Sequence, residues 1–140
     1  MAAITITPGS VVVATATVVN REYYSGATIT AGQCVYLDSN NAWQKMQCDG
    51  TAAEAGSGGT FGIALCGASS GQPLDVLTSG TVTIGGTVVT GTPYCVGTTA
   101  GEIVPFADLA STNKVTYLGF ASTTGILDLS IKKYTAISIA

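Results

Sequence analysis

The chain has 140 residues, enough for one domain with its own hydrophobic core. Charged residues make up 9% of it, against about 25% in an ordinary soluble domain, and the net charge is −3 from 5 basic and 8 acidic side chains. That balance excludes a nucleic-acid binder that works by neutralising phosphates, and the absence of histidine excludes Ser-His-Asp and Cys-His nucleophile systems and His-ligated zinc or iron.

Taken in chain order, the first residues lack the basic, continuously apolar character of a signal peptide, and no window reaches the roughly 20 apolar residues that span a bilayer. Ile4, Ile6, Val11 and Val13 alternate with small or polar neighbours, the period of a half-buried strand. Arg21-Glu22-Tyr23-Tyr24 is the one place where charges and aromatics concentrate; in a strand the two tyrosines face opposite ways, one to the core and one to solvent. Val35–Leu37, the turn Asp38-Ser39-Asn40-Asn41 and Trp43–Met46 read as a hairpin, with Trp43 either core or an exposed anchor. Thr51–Ala55 and Pro105–Ala110 each suffice for one helical turn. Alternation returns at Val82/Ile84/Val88, Leu127/Leu129/Ile131 and Ile137/Ile139. Gly-, Ser- and Asn-rich turns such as Ala31-Gly32, Ser69-Ser70-Gly71 and Thr99-Ala100-Gly101 punctuate these runs. The pattern predicts an all-β fold, a small antiparallel barrel or sandwich.

A weak internal duplication is legible. Gly32–Leu37 is echoed by Gly91–Val96, Phe61-Gly62-Ile63-Ala64 by Leu118-Gly119-Phe120-Ala121, and Gln72–Val76 by Ile126–Leu129. Asp75 and Asp128 stand at matching places in the last echo, on the presumed polar face of a strand. The other carboxylates sit mostly in turns, where they accept turn hydrogen bonds, so no catalytic pair is expected. Glycine-rich Gly56–Gly59 and Gly85-Gly86 lack the context of a phosphate-cradling loop. The cysteines show no metal-ligand spacing, so reduced thiols, no metal and no cofactor are expected. Cys34, Cys66 and Cys95 read as small buried hydrophobes, and Cys48, beside Asp49-Gly50, as the most exposed thiol.

From residue 31 onward the chain resembles the small β-barrel decoration, or cement, proteins of tailed-phage capsids. The resemblance rests on Gly32-Gln33-Cys34-Val35-Tyr36-Leu37, Phe61-Gly62-Ile63-Ala64-Leu65, Gly71-Gln72-Pro73-Leu74-Asp75-Val76 and Ser79-Gly80-Thr81-Val82, in that order, and on the same order in Gly91-Thr92-Pro93-Tyr94, Tyr117-Leu118-Gly119-Phe120-Ala121 and Gly125-Ile126-Leu127-Asp128-Leu129. It implies a structural protein with no enzymatic role that is assembled in the host cytoplasm and located on the outer surface of the virion. Its partners would be the major capsid protein and copies of itself, a trimer first and a dimer next, with no nucleic acid and no membrane. The alternative class is a phage fibre, spike or carbohydrate-binding module.

Residues 1–30, outside the resemblance, are expected to form N-terminal strands and residues 31–140 the barrel domain. Two readings of the first segment stand: an extended arm gripping a neighbour, or strands of the chain's own sheet. The expected protein-interaction residues are Val11, Val13, Arg21, Glu22, Tyr23, Tyr24 and Trp43.

Overall fold

The computed structural model describes residues 6, 8, 11–48, 60–84, 91–109, 114–115, 117–123, 126–129 and 137–138, and for 12–18, 114–115, 117, 122–123, 128–129 and 137–138 the backbone alone. The helical turn expected at Thr51–Ala55, the glycine-rich loops at 56–59 and 85–86, and Ile4, Val88, Ile131 and Ile139 lie outside the described residues.

The strands are β1 (Val12–Asn20), β2 (Tyr24–Ser25), β3 (Cys34–Leu37), β4 (Ala42–Lys45), β5 (Phe61–Ala64), β6 (Val76–Thr83), β7 (Pro93–Val96), β8 (Ile103–Pro105), β9 (Lys114–Val115), β10 (Tyr117–Thr123), β11 (Ile126–Leu129) and β12 (Ile137–Ser138). The expected turn after Pro105 is a 3₁₀ turn, Phe106–Asp108. The fold is all-β. β9 and β12 pair on their own, and the other ten strands form one mixed sheet in the order β2-β4-β3-β5-β6-β11-β10-β7-β8, with β1 added on β6. The pairing is antiparallel except for β2 with β4. Strand pairing among the described residues does not close this sheet, so of the two expected forms the architecture is the sandwich-like one.

Without β1 and β2, the order reads the same from both ends. β4-β3-β5-β6 repeats as β8-β7-β10-β11, and the final strands of the two halves, β6 and β11, pair with each other. The repeat extends to single hydrogen bonds. The Gly32 N–H donates to Ala64 O at 2.8 Å and the Ala64 N–H to Gln33 O at 2.9 Å; in the second half the Gly91 N–H donates to Ala121 O at 2.8 Å and the Ala121 N–H to Thr92 O at 3.2 Å. Val35 stands opposite Gly62 as Tyr94 stands opposite Gly119. The first two sequence echoes thus fall in structural register. The third is displaced: Ala64 faces Val76, and its counterpart Ala121 faces Leu127 rather than Leu129.

β6 joins the halves. β1 runs along one of its edges, from Val12 opposite Thr83 to Asn20 opposite Val76, with three register shifts that add twist. The other edge is shared, β5 taking Val76 and Leu77 and β11 taking Gly80 to Thr83. Of the two readings of the N-terminal segment, residues 12–20 therefore form a strand of the chain's own sheet and not a free-standing arm. β6 gives the peptide groups on one edge of β1 partners along most of its length, which an isolated tail would lack.

A main core spans both halves: Cys34, Phe61, Ile63 and Leu77 meet Tyr94, Val96, Leu118 and Leu127, and Val11 joins them. The opposite face of the first half has its own cluster. There Val35, Trp43, Ala64 and Val76 are covered by Ile29, Ala68 and Leu74 from two loops. Those loops are stitched antiparallel by backbone bonds, Ile29 N–H to Ala68 O at 2.8 Å and the reciprocal bond at 2.9 Å among them.

One turn design occurs three times: Thr30-Ala31-Gly32-Gln33, Ser69-Ser70-Gly71-Gln72 and Thr99-Ala100-Gly101-Glu102. In each, the first N–H donates to the side-chain oxygen of the fourth residue and the fourth N–H returns a bond to the first carbonyl. The glycine takes φ of 93°, 87° and 83°, a conformation that costs other residues strain. The third turn locks the halves together: the Gly101 N–H donates to Met46 O at 2.8 Å, and the Cys48 N–H to Gly97 O at 2.8 Å.

Gly62 is fixed by close approach. A Cβ there would strike the backbone of Leu77 and sit 2.9 Å from Val76 Cγ1. Gly62→Ala is expected to lower stability by about 1–3 kcal/mol, the range for overpacking, read as a lower urea midpoint with unchanged m.

The β3–β4 hairpin depends on Asp38. Its Oδ1 accepts the N–H groups of Asn40 (2.8 Å) and Ala42 (3.0 Å), and its Oδ2 accepts Gln44 Nε2 (3.0 Å). Desolvation pushes this carboxyl's pKa up, but the bonds from Ala42, Gln44 and Asn40 together outweigh it and hold the pKa below its usual value. A depressed carboxyl stabilises the fold above its unfolded pKa of about 3.9 and loses that contribution as pH falls further. Asp38→Ala is expected to cost about 1 kcal/mol at neutral pH, by urea titration, with the difference from wild type shrinking towards pH 2.

Candidate interaction surface

The expected interaction residues separate into core and surface. Trp43 is fully buried at the centre of the second cluster, and Tyr23 packs edge-on against it, with ring centroids 6.4 Å apart and planes at 72°. The Trp43 indole N–H has no acceptor among the described residues, so its place rests on apolar packing. Val11 is core, and Val13 stands opposite Val82 in the β1–β6 ladder with its side chain outside the described set. Tyr24 is 59% exposed, on the face opposite Tyr23, as strand alternation requires. Arg21 and Glu22 are exposed beside it, and Arg21 Nε lies 3.6 Å from Asp75 Oδ2. An ion pair this open to water adds little to stability. The backbone of Tyr24 bridges to Pro73, itself exposed, so one side of the first half carries Tyr24, Pro73, Arg21 and Asp75.

Sequence reasoning missed a second surface. Phe120 on β10 is 38% exposed and stands opposite the exposed Pro93 on β7; Phe106, 48% exposed, follows Pro105, which faces Tyr94 across β7–β8. The signal was present in the repeat, because Pro93 and Phe120 match Cys34 and Ile63. A repeat does not say which copy of a face is covered.

Between the 30–33 and 99–102 turns lies a depression of about 310 Å³, walled also by Ile6 and Pro8. Two of its polar side chains serve their own turns: Gln33 Oε1 accepts the Thr30 N–H, and Glu102 Oε2 accepts the Thr99 N–H. Among the described residues no three His, Cys, Asp or Glu side chains are grouped to hold a metal ion, and no helix is long and apolar enough to cross a membrane.

The cysteines correct one expectation. Cys48 is fully buried, because its backbone is tied into the 97–101 turn, and Cys66 is the partly exposed one. Cys34 and Cys95 are buried as expected. Burial raises the Cys34 thiol pKa far above its usual value against an opposing backbone bond, with the nearby Glu102 charge adding to it; burial, then the neighbouring Cys48, pushes Cys95 up to about 12.

No protein-family model, curated protein or solved structure matches this chain.

Buried, neutral thiols make two linked expectations. An aromatic disulfide reagent should titrate Cys66 promptly and Cys34, Cys48 and Cys95 only as the protein unfolds. Because the folded pKa values of Cys34 and Cys95 lie above the unfolded value near 8.5, their contribution holds below about pH 8.5 and is lost as pH rises beyond it. The urea midpoint should therefore fall on the alkaline side.

Proposed function

We propose that this chain is a structural subunit of a tailed-phage virion, a decoration protein that binds the outer surface of the capsid shell as an oligomer and performs no chemistry. The observation that supports the reading is where the family-like motifs fall. Gly32–Leu37 leads into and fills β3, Phe61–Ala64 is β5, and Val76 opens β6; their counterparts Gly91–Tyr94, Tyr117–Ala121 and Ile126–Leu129 fall on β7, β10 and β11. The order on which the resemblance rests is therefore carried twice, on equivalent strands of one body. The surface is of the same kind. Asp38 and Glu102 accept hydrogen bonds within their own turns, Arg21 pairs with Asp75, and the prominent exposed groups are the aromatics Tyr24, Phe106 and Phe120. Aromatic anchors on a rigid, sparsely charged frame suit a shell contact, whose centre is depleted in charge.

Mixing the purified protein with undecorated shells of the major capsid protein encoded alongside it tests the reading. The chain is expected to sediment with the shells and to appear as added density on their outer surface by electron cryomicroscopy. Tyr24→Ala should weaken binding about tenfold or more. A chain that stays in the supernatant at micromolar shell concentration overturns the proposal, and glycan binding without shell affinity replaces it with a carbohydrate-binding module.

A further inference from the structure

We propose that the depression between the 30–33 and 99–102 turns is a seat for a lysine side chain of the capsid shell, with the Glu102 carboxylate as its counter-charge.

Glu102 carries a charge that its turn does not need. The three turns of one design close with Gln33, Gln72 and Glu102, and in each the fourth side chain accepts the N–H of the first residue. A neutral carboxamide does this at Gln33 and Gln72, over 3.0 and 2.8 Å. The carboxylate of Glu102 does it over 3.2 Å, so the cap does not require the charge. Carboxylates are scarce in this chain, 8 in 140 residues, and this one is half-buried. Holding a charge partly out of water costs free energy, which a cation brought to it offsets. Among the described residues the ion pair is Arg21 with Asp75, and no cation is seated on Glu102.

The walls supply the rest of the site. The depression holds about 310 Å³, at the small end of ligand clefts, room for one long side chain. Ile6, Pro8, Ala31 and Ala100 give it apolar sides, along which the methylene stem of a lysine can lie. Glu102 Oε2 is taken by the Thr99 N–H. Oε1 and the hydroxyls of the exposed Thr30 and Thr99 offer three acceptors, the number that the three N–H donors of an ammonium use. The fork of an arginine would call for both carboxylate oxygens, one of which is already engaged. The seat is formed before anything enters it. Gln33 lies against Gly101, where a Cβ would come within 3.0 Å of its Cδ, and Ile6 lies against Gly32. The Gly101 N–H donates to Met46 O at 2.8 Å, and its carbonyl accepts the Cys34 N–H at 3.3 Å. Such a preorganised site loses little freedom on binding. The net charge of −3 favours the approach of a cationic group.

The inference rests on the shell-binding reading for the source of the lysine and not for the chemistry of the seat. The probe is acetyl-lysine methylamide, titrated to about 50 mM into the isotope-labelled full chain and followed by amide chemical shifts. Saturable shifts are expected at residues 30–33 and 99–102, with a Kd of about 10 mM, as a single half-exposed ion pair gives. The uncharged norleucine analogue should produce none. Glu102→Gln, which keeps the cap as Gln33 does, should weaken the probe at least about fivefold, and Ala100→Tyr, which fills the depression, should abolish its binding, both with unchanged far-ultraviolet circular dichroism. With capsid shells, Glu102→Gln should lower affinity at least about fivefold and flatten its fall between about 50 and 500 mM sodium chloride. No saturable shift, a shift that Glu102→Gln leaves unchanged, or a Glu102→Gln chain that binds shells as wild type does overturns the proposal. Probe binding that depends on Glu102, in a wild-type chain that stays off the shells, leaves the seat standing and removes only the shell reading.

Discussion

The rest of the structure depends on how the two edges of β6 are divided. One edge carries a single long partner, β1, and the other is split between β5 of the first half and β11 of the second. A strand can satisfy only two rows of peptide groups, so this division uses both edges of β6 and makes it the one element common to both four-strand units. The positive φ of Gly80 and the register shifts against β1 supply the local twist that lets one strand serve two units. Val76 then packs in the outer cluster and Leu77 in the main core, so β6 also divides the two hydrophobic layers.

The halves share topology but not surroundings. In the first, both faces are covered, one by the second half and one by the stitched loops that carry Ile29, Ala68 and Leu74. In the second, Phe120 and Pro93 are exposed, while Cys95 and Val104 further along β7 and β8 are buried. Duplication gave two similar units, and packing one on the other uses equivalent faces unequally. The side chains of Gln33, Asp38, Gln72 and Glu102 serve turns, and the large apolar side chains left exposed among the described residues are Tyr24, Phe106 and Phe120.

Much of the fold was legible because strands announce themselves locally. The hairpin around Asp38 follows from a turn sequence between two alternating runs, and the opposite directions of Tyr23 and Tyr24 follow from the geometry of any strand. The duplication was legible for Gly32/Gly91, where a positive φ favours glycine, and for Gly62/Gly119, of which Gly62 is fixed by the close approach of Leu77, and misplaced by two residues at the last strand, where Asp75 and Asp128 offered only a similar letter. Cys48 was misjudged because the Asp-Gly beside it signals a turn, while its burial comes from the 97–101 turn, distant in sequence. The interaction residues divided on the same ground: Arg21, Glu22 and Tyr24 lie outside, whereas Trp43 and Val11 are held within.

The sequence by itself determined the all-β class, the turns with their side-chain caps and the equivalence of the two halves, since each is set by period-two alternation, by glycine at positive φ or by contacts between near neighbours. Only the tertiary structure decided that the ten-stranded sheet stays open, that residues 12–20 complete it, and that Phe120 is exposed where Ile63 is buried. Those outcomes depend on which strand edge finds a partner and which face is covered first, and such competition between distant segments leaves no mark on the residues near the site.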